Sequence, residues 1–489
     1  MARLGIYSRM VMLALAVASG WIAPAWAEDA AAPVQGVILV DICSARRDHM
    51  SGFGYDRPTT PNLDAFMNEA TVFERAWAQS AWCLPNFATL LTGARPEVHQ
   101  QLNSGDARPQ PVDGLETLAG VLQQAGMATG GFSASRFLGD SYRFLQRGFD
   151  LFVNLPDPEV PADQALPFEQ RLPAILEWLR THREQRFFLY VTVDDLHAPY
   201  RAADPKLFDP AYAGFFDEVS PSVKFDRLYN GEPVSEPEPK LVAAVEEFRR
   251  DERHQRHLVA RYDASLHHVD RLMGTFFDEL KQLGVWDTSL VIVTADHGEQ
   301  LGEHGLLGHT QALYEPILGV PLIIKHPALA GGGRNTQLVE RIDIPATVLD
   351  AAGIAPSEHP QFTGDSLMPI LEGRSVAWKS HIFASSKPTR MGVSDPLDWS
   401  IEERAVRDAR YKLLWHSYKE QPYELYDLEQ DPAELHDLVL DRPEVFQQLK
   451  ARLDAYASDG GMELPVEAPA AAGVLPTMLP AGRAAQPAH

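Results

Sequence analysis

Three short apolar runs, each followed by acidic residues and a histidine or cysteine, constrain the fold of this chain most strongly. Residues 37–40 (VILV), 187–193 (FFLYVTV) and 290–294 (LVIVT) are largely apolar and rich in β-branched residues, which is typical of strands buried on both faces of a parallel sheet. Amphipathic helices are predicted between these runs, for example over 171–181 and 258–280. This alternation predicts an α/β fold with a mostly parallel central sheet sandwiched by helices.

The polar residues that follow these strands are candidates for a functional site. Ligands bind beyond the carboxyl ends of strands in open α/β sheets, so the three strand ends are predicted to share one site. The most specific signal is Asp296-His297-Gly298-Glu299, because a carboxylate and an imidazole at a strand end suit a divalent cation. Gly298 lets the backbone come close, and an oxygen-rich site favours Ca²⁺ or Mg²⁺ over zinc. The strand-end pairs are Asp41 and Cys43, Asp195 and His197, and Asp296 and His297.

Residues 79–93 carry Cys83, which is one of only two cysteines in a chain of 489 residues. Pro85 predicts a bend at Leu84, and the apolar run 87–91 predicts the first turns of a buried helix. A helix N-terminus favours the thiolate form of a cysteine. Cys83 is therefore a candidate nucleophile, or the precursor of one, and the alternative is a small buried thiol.

The first 27 residues are predicted to be an export signal. Arg3 and Arg9 precede an apolar run over 10–18, and Ala25-Trp-Ala27 has the small-x-small pattern of a cleavage site. The apolar run is too short for stable membrane insertion, so we expect a secreted or periplasmic protein. A net charge of −24 makes nucleic acid an unsuitable partner.

The sequence pattern changes near residue 375 and predicts a second, smaller unit. Residues 33–375 are predicted to form the α/β domain, in which 201–240 is a long surface excursion with little periodicity. Residues 376–458 contain short alternating strands and a terminal helix, which predict an α+β subdomain with an antiparallel sheet. Residues 459–489 are rich in Ala and Pro and are predicted to be disordered.

An ordered set of motifs resembles the sulfatases of the alkaline-phosphatase-like superfamily, from about residue 37 to residue 438. Each motif is weak alone, but their order along the chain makes the resemblance specific. The motifs are TTPNLD at 59–64, CLP at 83–85, LLTG at 90–93, DLHAPY at 195–200, TADHGE at 294–299, DIPAT at 343–347 and ELYDL at 424–428.

The resemblance implies a hydrolase of sulfuric esters that uses bound Ca²⁺, with Mg²⁺ as the alternative ion. It also implies a cysteine that is converted after translation to formylglycine, whose hydrated aldehyde attacks the ester at sulfur. The implied substrate is a small-molecule or carbohydrate sulfate ester. Carried over by position, Cys83 is the formylglycine precursor, Asp296, His297 and Asp41 are metal ligands, His197 contacts the sulfate, His309 is the candidate proton donor, and Asp195 and His304 are further candidate substrate contacts.

Two positions differ from the family pattern. Phe87 stands where the Cys-x-Pro-x-Arg motif has its arginine, and it has neither a charge nor a donor. Counting back from the RRDH segment at 46–49 places Cys43 at the position of an aspartate ligand. Asp41 lies two residues earlier on the same strand face, about 6 to 7 Å deeper by strand rise.

In the active sulfatase the two cysteines are unlinked and Cys83 is modified, and the differences leave two further interpretations open. A Cys43–Cys83 disulfide, worth about 4 kcal/mol in the chain-entropy model, would leave a catalytically silent binding protein. A metal-dependent phosphate or phosphonate ester hydrolase is possible on the same scaffold.

Overall fold

The computed structural model describes residues 33–101, 114–154, 166–200, 204–232, 234–309, 312–329, 331, 333–387 and 402–459. The predicted export signal and the Ala/Pro-rich tail beyond residue 459 lie outside these residues. The strands are β1 (Gly36–Ile42), β2 (Thr71–Trp77), β3 (Ala128–Ser133), β4 (Leu151–Asn154), β5 (Phe187–Val193), β6 (Ser289–Thr294), β7 (Gln300–Leu301), β8 (Leu307–Gly308), β9 (Gly319–Val320), β10 (Leu322–Lys325), β11 (Gly333–Glu340), β12 (Ile382–Ser386), β13 (Glu403–Arg407), β14 (Tyr411–His416) and β15 (Tyr423–Asp427). The helices are α1 (Pro61–Met67), α2 (Cys83–Thr92), α3 (Pro96–His99), α4 (Leu118–Gln124), α5 (Phe168–His182), α6 (Val223–Tyr229), α7 (Pro239–Arg250), α8 (Glu252–Gln282), α9 (Glu315–Leu318), α10 (Asp343–Ala351), α11 (Met368–Leu371) and α12 (Pro443–Asp459).

The central sheet confirms the predicted α/β fold. Its strands follow the order β11-β2-β10-β6-β1-β5-β3-β4, and β9 also pairs with β2. Every residue of β1, β5 and β6 is buried, as their apolar sequences predict. β1 lies between β5 and β6 and is parallel to both, whereas β10 is antiparallel to its neighbours β2 and β6. The carboxyl ends of the three central strands therefore open on one edge of the sheet.

The helices form two packed groups. Helices α1 and α5 contact α8, and helix α2 contacts α4 and α10. The apolar positions of α8 recur every three or four residues and are buried, as expected for a helix that covers a core. They include Leu258, Tyr262, Leu266, Val269, Met273, Phe276 and Leu280.

The C-terminal region forms the predicted antiparallel sheet, in the order β12-β13-β14-β15. Helix α12 packs on β13 and β14 through a small core that contains Trp415, Leu449 and Leu453. The prediction of a plain surface excursion over 201–240 is wrong for one segment, because α6 forms there. Ser222 caps α6 by accepting a hydrogen bond from the amide of Phe225, and seven residues are too few to show a helical period.

A buried charged cluster joins the C-terminal sheet to the central sheet. We call it the domain junction and define it as Trp77, Glu315, Arg407, Lys412 and Glu434. Glu315 accepts a hydrogen bond from the indole of Trp77 at 2.9 Å and forms ion pairs with Arg407 at 3.2 Å and Lys412 at 3.3 Å. Glu434 forms an ion pair with Lys412 at 2.7 Å and accepts from the amide of Glu315, also at 2.7 Å. The carboxylates of the domain junction are therefore matched by cations and donors.

Candidate active site

Cys83 is the first residue of α2, a helix whose ten residues are all buried. The predicted bend at Leu84 is wrong, because Pro85 lies in the first turn, where a helix has no amide hydrogen bond to lose. Burial, and then the charge of Asp296, raise the pKa of the Cys83 thiol well above its usual value. The expected stabilisation of the thiolate by the helix terminus is therefore outweighed in this pocket.

Three imidazoles surround the thiol. The Cys83 sulfur lies 3.2 Å from Nε2 of His297 and 3.6 Å from Nε2 of His197. The ring centroid of His309 is 4.3 Å from that of His297 and 5.2 Å from that of His197. One ligand atom from each of the four residues lies within 4.8 Å of the others. We call these four residues the thiol–imidazole cluster; it unites the start of α2 with the polar segments after β5 and β6.

His297 is held in one orientation by its own backbone. Its Nδ1 lies 2.7 Å from the carbonyl oxygen of Gly298, so Nδ1–H donates there and Nε2 faces Cys83. Burial lowers the pKa of His297 to about 4, which keeps the ring neutral near pH 7. Gly298 is required because a Cβ there would lie 1.9 Å from the carbonyl oxygen of Pro316.

His309 is paired with Glu299, which the sequence contained but which had no predicted role. Strands β7 and β8 form an antiparallel hairpin that brings the two residues together, with His309 Nδ1 3.0 Å from Glu299 Oε2. Burial opposes the imidazolium, but the buried Glu299 carboxylate outweighs it and raises the pKa of His309. This contact leaves Nε2 of His309 to face the thiol–imidazole cluster.

Asp41 and Asp296, which we call the carboxylate pair, lie beneath the cluster and are fully buried. Asp296 Oδ1 accepts from the amides of Ser44 at 3.0 Å and His297 at 2.8 Å. Its Oδ2 lies 3.4 Å from Nε2 of His297 but has no hydrogen bond within the described chain. Although burial opposes its charge, the nearby histidines, led by His297, lower the pKa of Asp296 to about 2. Asp296 is therefore a buried carboxylate with a free oxygen.

Asp41 is held by Tyr190 and Arg341. Its Oδ2 accepts from the Tyr190 hydroxyl at 3.2 Å and forms an ion pair with Arg341, whereas Oδ1 has no hydrogen-bond partner among the described residues. Burial raises the pKa of Asp41 to about 7, against the opposing effect of Arg341. Buried oxygens without donors are costly unless a cation satisfies them, so the free oxygens of the carboxylate pair fit a bound metal ion.

Arg341 is a buried guanidinium that the sequence did not reveal. It follows β11, donates to the carbonyl oxygen of Asn86 at 2.9 Å and is only 1% exposed. Phe87, at the family's arginine position, is fully buried in the apolar core. The guanidinium of Arg341, which follows β11, thus contacts Asn86, the residue before Phe87. No sequence pattern distinguishes this arginine from a surface arginine.

Arg136 is a second basic residue that sequence reasoning missed. It follows β3, is exposed to solvent, and exerts an electrostatic effect on both Cys83 and His309. Its guanidinium stacks 4.7 Å from the centroid of Phe137. The rule that ligands bind beyond strand ends would have found Arg136, because β3 is also a parallel strand of the central sheet.

Three residues singled out from the sequence lie outside the thiol–imidazole cluster: Asp195, His304 and Cys43. The carboxylate of Asp195 accepts from the amide of Phe168 at 3.1 Å. His304 stacks on Tyr314 with ring centroids 3.6 Å apart. Neither belongs to the thiol–imidazole cluster. Cys43 donates to Asp194 at 3.5 Å, and both cysteines are free thiols in the described chain, so the alternative disulfide is not formed.

The matches to known proteins agree with this geometry. The sulfatase family model matches residues 35–354, so the chain belongs to the sulfatase family and is a sulfuric ester hydrolase. The model for the C-terminal region of N-sulphoglucosamine sulphohydrolase matches residues 302–459. Among the described residues, no helix is long and apolar enough to cross a membrane.

Individual relatives support the same family. The chain is 27% identical to the multifunctional alkaline phosphatase superfamily protein PehA of Trinickia caryophylli, over 66% of this chain and 73% of that protein. It is 25% identical to human N-sulphoglucosamine sulphohydrolase, over 74% of this chain and 70% of that enzyme. The solved structure of BT4656 with its substrate D-glucosamine-2-N,6-O-disulfate has a TM-score of 0.68 at 20% identity and covers 88% of this chain and 98% of its own. That structural likeness concerns the fold.

Proposed function

We propose that the chain hydrolyses sulfate esters at the thiol–imidazole cluster, with Cys83 as the source of the nucleophile. The position of the thiol supports this most directly: it lies at the start of a buried helix, 3.2 and 3.6 Å from two imidazole nitrogens. Family membership supplies the reaction type. When Cys83 is converted to formylglycine, the modified residue supplies a hydrated aldehyde as the attacking group.

The surrounding side chains bind the anion and deliver a proton. His197 Nε2 faces the same point as the thiol and would donate a hydrogen bond to a sulfate oxygen. Arg136, which is exposed and acts electrostatically on Cys83 and His309, supplies the positive charge that an acidic protein needs in order to attract an anionic substrate. His309, whose pKa is raised by the buried Glu299 carboxylate, would donate its Nε2 proton to the oxygen of the leaving alcohol.

The carboxylate pair and His297 would hold the metal ion that the sulfatase family uses. Asp41 and Asp296 each present a buried oxygen without a hydrogen-bond donor in the described structure, and Ca²⁺, or alternatively Mg²⁺, takes such oxygens. A bound cation supplies Lewis-acid polarisation of the sulfate group. Arg341 holds Asp41 in place from the side opposite its free oxygen.

We propose a sulfated amino sugar as the substrate and the periplasm or the exterior of the cell as the location. Support for the substrate comes from the C-terminal match to N-sulphoglucosamine sulphohydrolase and from the similarity to the human enzyme of that name. Support for the location comes from the export pattern of residues 1–27. Asp195 and His304 stay predicted substrate contacts, because sugar rings extend beyond the sulfate itself.

Sulfate release tests this function. The mature chain is incubated with D-glucosamine-2-N,6-O-disulfate, an aryl sulfate, an aryl phosphate and a phosphonate monoester, each with Ca²⁺ and with chelator, and released anions are separated by ion chromatography. We expect sulfate release that the chelator suppresses and that Cys83→Ala abolishes. Folded protein that releases no sulfate from either sulfate ester, or that turns over only the phosphorus esters, would contradict the proposal.

A further inference from the structure

Four ligand atoms of the type that binds soft metals converge in this pocket. The sulfur of Cys83 and one nitrogen each of His197, His297 and His309 all lie within 4.8 Å of one another. A tetrahedral zinc ion has ligand distances of about 2.0 to 2.3 Å, which place neighbouring ligand atoms about 3.3 to 3.8 Å apart. The two thiol–imidazole separations, 3.2 and 3.6 Å, lie close to that range. Small side-chain movements would therefore close the set around one ion.

Two of the three imidazoles also have the outer contacts that metal ligands require. A metal-bound histidine normally donates its other ring N–H to a carboxylate or a backbone carbonyl. His309 makes this contact with Glu299 at 3.0 Å, and His297 makes it with the carbonyl of Gly298 at 2.7 Å. Both contacts direct Nε2 towards the cluster, where the nitrogen can bind a metal ion once it carries no proton. The pocket is therefore oriented for metal binding before any ion arrives.

We propose that the thiol form of this protein binds a zinc ion through Cys83, His197, His297 and His309. Thiolate and imidazole ligands suit Zn²⁺, whereas Ca²⁺ and Mg²⁺ take oxygen ligands. The sequence favoured the oxygen-binding ions because it showed only Asp296 and His297 as neighbours. The fold adds a sulfur and two more imidazoles to that pair.

The carboxylate pair supports this site electrostatically without completing it. The free Oδ2 of Asp296 lies 3.4 Å from Nε2 of His297, where its negative charge favours a cation in the cluster. Asp41 is already paired with Arg341. The side chain of His309 is 18% exposed, so the ion has a route from solvent. Binding forms one Zn–S and three Zn–N bonds, and it releases to water the thiol proton of Cys83 and, from chains in which His309 is an imidazolium, the Nε2 proton of His309.

The zinc site and the sulfatase function concern two chemical forms of one residue. Conversion of Cys83 to formylglycine removes the sulfur and with it one of the four ligands. Zinc is therefore predicted to bind only the unconverted chain. Each form can be prepared and assayed separately, so failure of one proposal leaves the other testable.

Metal titration of the thiol form is the test. The mature chain is produced in a host that leaves Cys83 as a thiol, which is verified by the mass of the peptide, and is stripped with chelator. Co²⁺ is added while the thiolate-to-cobalt charge-transfer band is recorded, and Zn²⁺ is then added to displace it. We expect one metal ion per chain, loss of the band in Cys83→Ser, and retention of the band in Cys43→Ser.

A second variant distinguishes a loss of zinc binding from a loss of folded structure. Glu299→Gln keeps the shape of the residue that orients His309, and it should weaken zinc binding about 10- to 100-fold in a chain whose circular dichroism is unchanged. Zinc affinity that is the same in wild type and Cys83→Ser would overturn the inference. So would a folded thiol-form chain that gives no charge-transfer band.

Discussion

The pocket above the central sheet and the domain junction are both buried and charged, yet they differ in how their polar atoms are satisfied. In the domain junction, each carboxylate oxygen of Glu315 and Glu434 meets a cation or a donor within 3.3 Å, and Oε1 of Glu434 does so through its ion pair with Lys412 rather than through a hydrogen bond. In the pocket, Asp41 and Asp296 each keep an oxygen without a hydrogen bond to any described residue, and three imidazoles face one thiol.

This contrast distinguishes structural from functional burial of charge. In a matched cluster the cations and donors offset part of the cost of desolvation, and the remainder is seen in the raised pKa of Glu434. Removing a cation leaves a buried carboxylate with too few partners. A pocket with free acceptor atoms costs stability and persists where a ligand, an ion or a reacting group satisfies them. We therefore expect variants of the pocket to lose activity with little loss of stability, and variants of the domain junction to do the opposite.

Loss of the His309 imidazole should have the largest of these effects. His309→Gln removes the proton donor, so kcat/KM for a sulfate ester should fall about 10²- to 10⁴-fold per folded molecule. The glutamine amide can still donate to the buried Glu299 carboxylate, so the urea midpoint should fall less than in Lys412→Met. The exposed imidazole of His436, whose side chain is 78% exposed, provides the control His436→Gln, which should retain activity. Equal kcat/KM values for His309→Gln and wild type would remove His309 from the mechanism.

Loss of the Lys412 charge should have the opposite profile. Lys412→Met leaves Glu434 and Glu315 with too few cations, so the free energy of unfolding in urea should fall by about 3 to 5 kcal/mol. Activity per folded molecule should be unchanged. The matched control is Lys240→Met, because the exposed Lys240–Glu218 pair should contribute only about 0 to 1 kcal/mol. A Lys412→Met variant that is as stable as wild type but impaired in catalysis would contradict the assignment of the domain junction to stability.

The pH dependence of stability should carry a contribution from Glu434. Burial, opposed by Lys412 and reinforced by Glu315, raises the pKa of Glu434 to about 7 from its usual value of 4.5. Between these values the folded chain binds more protons than the unfolded chain, so this contribution to stability is lost as pH rises from about 4.5 to about 7.

Glu434→Gln should flatten this part of the stability curve by about 1 to 3 kcal/mol, as measured by urea unfolding at a series of pH values. Glu429→Gln, at a residue whose side chain is 54% exposed, should leave the slope as in wild type. An unchanged slope in Glu434→Gln would show that the domain junction does not titrate in this range.

The smallest effect is expected at Cys43. Its thiol donates to Asp194 and lies outside the thiol–imidazole cluster, so Cys43→Ser should change kcat/KM less than about tenfold and stability by about 1 kcal/mol. Parallel kinetics and urea unfolding measure both. A loss of activity as large as that of His309→Gln would make Cys43 part of the reacting centre.

The parts of the fold that rest on local pattern were predictable. Apolar runs such as residues 187–193 identified the buried strands, and turn-rich sequence identified the C-terminal antiparallel sheet, although β15 was noted only as a family motif. Helix α6 was missed because a seven-residue helix has no readable period. Its cap at Ser222 resembles many serines in loops.

The site was predictable in its location but not in its detail. Strand-end polar residues and Cys83 converge as the topology of parallel sheets implies. Asp194 accepts from the Cys43 thiol, whereas Asp195 accepts from the amide of Phe168. Two adjacent aspartates after β5 point in different directions, and the sequence does not say which partner each one has. Arg341 was missed because its role depends on contacts across 300 residues of sequence with Asp41.

The kinetics of Cys83→Ala decide whether the thiol–imidazole cluster is the active site. We expect this variant to fold with the urea midpoint of wild type and to lose about 10⁵-fold or more in kcat/KM for a sulfate ester, because the attacking group is gone. Mass analysis of the wild-type Cys83 peptide, measured on the same active sample, should show formylglycine. A folded Cys83→Ala protein that retains wild-type turnover would contradict the assignment of the thiol–imidazole cluster as the active site.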